Sequence, residues 1–176
     1  KVDTLKIESD DSLLNQAKVD TNNNILQLYF LYGSDTIKSQ IEISGSLSSL
    51  NEILQFDQYK NFIFIVWVSE PFKPYRFSDN NPKFCNELHL RVIDVNTKQD
   101  IFNDILYKTN CCINRLNMMF NPFNQSLLVA YNDFSKSDDK YLMFGWISLN
   151  YIKQKKKVFY SVESVLQDKS EKRYPK

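Results

Sequence analysis

Residues 62–68 read Phe-Ile-Phe-Ile-Val-Trp-Val, seven apolar residues without a break. All seven are β-branched or aromatic, the side chains that suit a pleated and covered backbone. Both phases of the alternation are apolar, which predicts a central strand buried on both faces. Spanning a bilayer as helix takes about 20 apolar residues, so this run cannot do it.

Working outward, residues 53–56 suggest a short strand before the run. After it, residues 69–86 are polar and rich in proline. Leu88, Leu90 and Val92 then alternate with His89 and Arg91, and Asn96-Thr97-Lys98 turns the chain into a strand over residues 101–107. Residues 113–120 form the next, ended by Asn121-Pro122. Residues 127–131 and 141–149 make a pair, and residues 158–162 follow a lysine-rich turn. Nearer the N-terminus, Ile25 to Tyr32 is a continuous apolar run. Gly33-Ser34-Asp35 and the alternating residues 37–43 complete a hairpin with it. About ten short strands separated by turns predict an all-β fold of antiparallel strands, with no helix beyond one or two turns. Residues 1–18 read as a loose polar lead-in, residues 19–166 as the β domain and residues 167–176 as a charged tail.

Composition agrees. Hydrophobic residues make up 43% and aromatics 14% of 176 residues, too rich for a disordered chain. Lys plus Arg number 22 against 21 Asp plus Glu, so net charge supplies no general attraction to nucleic acid or anionic membrane. Cys85, Cys111 and Cys112 are odd in number, and two are adjacent, unlike the spaced even set of a secreted disulfide scaffold. Reduced thiols in an intracellular protein, cytoplasmic or nuclear, are expected. The chain begins without Met or a signal sequence, which suggests a processed or excised piece of something longer.

One unit recurs. An asparagine precedes an apolar strand, an acidic turn follows, and an alternating strand returns. Asn24 leads residues 25–32, then Asp35 and residues 37–43. Asn61 leads residues 62–67, then Glu70 and residues 88–94. Asn124 leads residues 127–131, then Asp133 and residues 141–149. Repeats of this kind stack, because one unit cannot cover its own apolar face.

On these residues the chain resembles WD-repeat-like β-propellers. Leu90-Arg91-Val92-Ile93-Asp94-Val95-Asn96-Thr97-Lys98 looks like the strand and tight turn that close a blade, with Ile93 where tryptophan would stand and Asp94 matching the aspartate. The turn at Asn121-Pro122 and the strand-end Asp133 look like the next blade's. At about 40–45 residues per blade, the chain holds about three, hence a partial or open propeller. A β-sandwich or barrel is the alternative. The resemblance implies a scaffold for protein partners, a non-catalytic subunit or domain of a multiprotein assembly.

Chemistry is sparse. His89, the single histidine, lies in the polar phase of an alternating strand and reads as exposed. Adjacent Cys111 and Cys112 point to opposite faces of a strand, which opposes convergence on one metal ion. Gly33, Gly45 and Gly145 are isolated, so no phosphate loop forms. The pairs Asp10-Asp11 and Asp138-Asp139 sit in solvated turns, where nothing raises a carboxyl pKa for acid catalysis. No cofactor, metal or catalytic residue is expected.

Two segments suit binding. Residues 71–84 form a long loop in which Phe72, Tyr75, Phe77 and Phe84 interleave with Lys73 and Arg76, the anchor types of protein interfaces. Lys153, Lys155, Lys156 and Lys157 make a basic turn near Tyr151, Phe159 and Tyr160. Lysines and rings together can hold single-stranded nucleic acid, the alternative function.

Overall fold

The computed structural model of the chain describes residues 2–5, 14–20, 25–32, 35–42, 53–69, 86–109, 113–133 and 141–164. Twelve strands are described: β1 (Val2–Leu5), β2 (Leu14–Asp20), β3 (Ile25–Tyr32), β4 (Asp35–Glu42), β5 (Leu54–Tyr59), β6 (Phe62–Ser69), β7 (Asn86–Asp94), β8 (Gln99–Thr109), β9 (Ile113–Asn121), β10 (Ser126–Asp133), β11 (Tyr141–Ser148) and β12 (Tyr160–Ser164). One short helix, α1 (Leu149–Lys153), follows β11. The chain is all-β.

The strands form three antiparallel four-stranded sheets, each a meander in chain order: β1 to β4, β5 to β8, and β9 to β12. In the second sheet β6 lies between β5 and β7, and every residue from Phe62 to Val68 is buried, as its doubly apolar run predicts. Its two faces meet different neighbours. Phe56 of β5 meets Phe30 of the first sheet edge to face, centroids 5.9 Å apart. Phe64 of β6 stacks on Phe120 of the third sheet. The second sheet is therefore the middle layer, and residues of all three sheets make one core.

Polar links seat the first sheet on the second. Arg91 donates from Nη1 to the carbonyl oxygen of Gln40 at 2.8 Å and grips Asp100 with two further bonds. That carbonyl belongs to β4, an edge strand whose backbone groups would otherwise invite another strand. Lys98 pairs with Asp35 at 3.0 Å.

Several expectations need correcting. The lead-in assigned to residues 1–18 contains β1 and most of β2, which join the first sheet in register through β3. Backbone pairing holds them, and backbone pairing leaves no apolar signature in a polar sequence. The lysine-rich turn begins as a helix, because Ser148 caps it by accepting the backbone N–H of Asn150 at 3.2 Å. His89 is half-buried and stacked on Trp67 at 4.8 Å. In a strand covered on both sides, the polar phase is inside too.

Candidate interaction surface

The second and third sheets are two copies of one design. In the second, the residue before β6 (Asn61) accepts at its carbonyl from the N–H of the residue after β7 (Val95), 2.8 Å. In the third, the residue before β10 (Gln125) accepts likewise from the residue after β11 (Leu149), also 2.8 Å. The strand-end side chains match as well. Asp94 accepts from the N–H of Asn96 at 3.0 Å, and Ser148 from that of Asn150. Asp94, which the resemblance singled out, also receives the Asn61 amide at 2.7 Å and so ties two turns together. The loops at residues 95–98 and 122–125 share a geometry too. Asp94 and Asn121 each cap a backbone N–H two residues on, and the last loop residue, Lys98 or Gln125, has positive φ. Of the three repeat units, the second and third map to the second and third strands of their sheets. The first maps to the third and fourth strands.

Because the design repeats, the faces can be compared. The row of the second sheet turned toward the third runs Asp57, Phe64, Val92, Phe102 across its four strands. Phe64 and Val92 are fully buried there. Tyr59 stacks on Phe120 at 4.4 Å, and Asp57 accepts the Phe120 N–H at 2.7 Å. Phe120, Leu127 and Ile147 are buried on the facing side of the third sheet.

The other side of the third sheet lies open. Its row Met119, Leu128, Trp146, Tyr160 again crosses four strands, and the next holds Asn117, Ala130 and Phe144. Met119 is 58% exposed, Phe144 and Tyr160 46% each, and Trp146 36%. No charged side chain stands in these positions. Trp146 stacks on Tyr160 at 5.6 Å, and a hydrogen bond with Tyr151 pushes the Tyr160 hydroxyl above its ordinary pKa. The two rings thus lie against each other across β11 and β12. Grouped aromatics left open on one sheet face make it the candidate interaction surface.

The outer face of the first sheet contrasts. On β3 and β4 it carries Gln27, Tyr29, Thr36, Lys38 and Gln40. Tyr29 donates to Gln27 at 2.9 Å, and the Lys38 ammonium lies 6.0 Å from the Tyr29 ring. On these two strands the outward positions are thus mostly polar, with Ile25 and Glu42 paired at one end.

The sites read from sequence fall elsewhere. Phe72, Lys73, Tyr75, Arg76, Phe77 and Phe84, with Cys85, Cys111 and Cys112, lie outside the described residues. In the basic turn, Lys157 pairs with Asp104 of β8 at 3.5 Å and Lys153 lies over Phe62 at 5.0 Å. Half of that run is turned back on the second sheet. Lys155 stands beside Asp100 and Asp104, and Lys156 is exposed. Sequence reasoning passed over Phe144 and Trp146, although a signal was there. In β11 both phases are apolar, whereas in β4 the outward phase is Thr36, Lys38, Gln40 and Glu42.

His89 meets Ser69 Oγ at 3.1 Å and Glu87 at 3.3 Å, both through Nε2. A nucleophilic triad needs nucleophile and carboxylate on opposite nitrogens of the histidine ring, so these three groups do not form one. Among the described residues no three His, Cys, Asp or Glu side chains gather as a metal site, and no helix is long and apolar enough to cross a membrane. No family model, curated protein or solved structure matches the chain.

Proposed function

We infer that the chain is a non-catalytic scaffold of a multiprotein assembly, its sheets acting as blades of an open, WD-repeat-like β-propeller, and that it joins its partners through the outer face of the third sheet. The single observation carrying this is the uncharged aromatic row open on that face, at the position where the second sheet's row is filled by its neighbour. Covering a large apolar side chain contributes about 1.5–3 kcal/mol, and three such rings stand together. Nucleic acid finds less here, since two of the four lysines of the basic turn already face the second sheet. The odd cysteine set supports a cytoplasmic or nuclear setting.

Size-exclusion chromatography of a native extract tests the reading. The tagged chain should elute well above its 20.8 kDa. The Phe144→Asp, Trp146→Asp double variant should elute near that mass with its melting temperature kept. Elution of the unaltered chain alone, or of the double variant still in the assembly, would remove the reading.

A further inference from the structure

We propose that the partner seated on this face is another four-stranded antiparallel β-sheet, one that presents an uncharged apolar side and continues the stack in the same sense. The inference rests on that face being an interface and names what fills it.

Continuity of the joint already present carries it. Counting from the β5–β6 turn, the third cross-strand pair is Asp57 with Phe64, and this row receives the third sheet. Counting from the β9–β10 turn, the third pair is Met119 with Leu128, in the row that ends at Trp146 and Tyr160. Strand position, distance from the turn and side of the sheet are the same in both rows. The residues differ, Asp57 and Phe64 in one row and Met119 and Leu128 in the other, and so does the occupancy.

The shape and charge of the row narrow the occupant. It crosses all four strands, wider than the stripe one helix covers, so a single helix would leave much of it wet. A second sheet laid face to face interdigitates along the whole width, at about 10 Å between layers. Phosphate or an anionic headgroup would meet no cation among Asn117, Met119, Leu128, Ala130, Phe144, Trp146 and Tyr160. A second copy of the chain also fits poorly. The side that complements such a row is the one bearing Phe120, Leu127 and Ile147, and in every copy it is already buried against the copy's own second sheet. The occupant therefore belongs to a different sheet, with a large apolar residue placed as Phe120 is.

Photocross-linking of the full chain in its native cells tests this, with p-benzoylphenylalanine replacing Phe144 in one variant and Met119 in another. Both sites are exposed, so the label leaves the core intact. Cross-links should map to one polypeptide segment at every second residue, the spacing of a strand. Trp146→Asp should lower the yield at least about tenfold, the loss typical of an aromatic anchor. Cross-links at helical spacing, to nucleic acid or lipid, to the third sheet of a second copy, or none at all would overturn the proposal. If the chain still elutes in an assembly when that happens, the scaffold reading stands and only the identity of the occupant falls. If it elutes alone, both fall.

Discussion

Phe120 is held from two directions by the neighbouring sheet: its ring stacks on Phe64 at 4.9 Å and its backbone N–H donates to Asp57 at 2.7 Å. Ring and amide share one residue, so the joint between the second and third sheets is fixed in position as well as covered. Phe120→Ala should cost about 3–5 kcal/mol by urea denaturation, from lost contacts and the cavity left behind. Asp57→Ala should cost about 1–3 kcal/mol, since it leaves a part-buried N–H without its acceptor. The double variant should cost less than the sum, because both changes loosen one contact.

Burial of β6 on both faces makes a charge there intolerable. Arg91 stands in register with Ile65 and would meet a carboxylate at that position. Val66 is the sharper probe, fully buried and in register with Leu90 and Gln55. Val66→Asp should destabilise by about 4 kcal/mol or more, or prevent folding, as judged by circular dichroism and expression.

Gly145 leaves room for one ring. A Cβ at this position would lie 1.9 Å from Phe159 Cζ. Gly145→Ala must push that ring aside, at about 1–3 kcal/mol. Phe159 precedes Tyr160 in the chain, so the Trp146–Tyr160 stack should shift with it, visible as a change in tryptophan fluorescence.

Burial lowers the pKa of His89 from 6.5, against the opposing pull of Glu87. The folded chain therefore holds this ring neutral where the unfolded chain would already bind a proton. The stability contributed by the neutral ring is complete above 6.5 and is lost as pH falls through the lower folded value. Melting temperature should drop between about pH 7 and about pH 5, and drop less in His89→Gln.

Much of the strand order was legible because period-two alternation and turn residues act locally. Residues 62–68 declared a doubly covered strand through composition alone, and Asn96-Thr97-Lys98 and Asn121-Pro122 marked their loops. What stayed hidden depends on partners distant in sequence. β1 and β2 are strands because β3 lies beside them. His89 is inside because Trp67 stands opposite. The site was obscured for the same reason: in β11 an apolar residue at every phase says that both faces want cover, without saying which face the fold leaves bare.

The polar residues that β3 and β4 turn outward have a consequence for how copies meet at high concentration. A molecule with two sticky and complementary ends adds to itself without limit, and the result is a filament. Here the bare aromatic end of one copy would have to settle on Gln27, Lys38 and Gln40 of the next, stripping water from an ammonium and two amides with nothing given in return. Growth over these two strands is disfavoured. Polar groups on β3 and β4 thus work against one copy stacking its bare aromatic face on these two strands of the next.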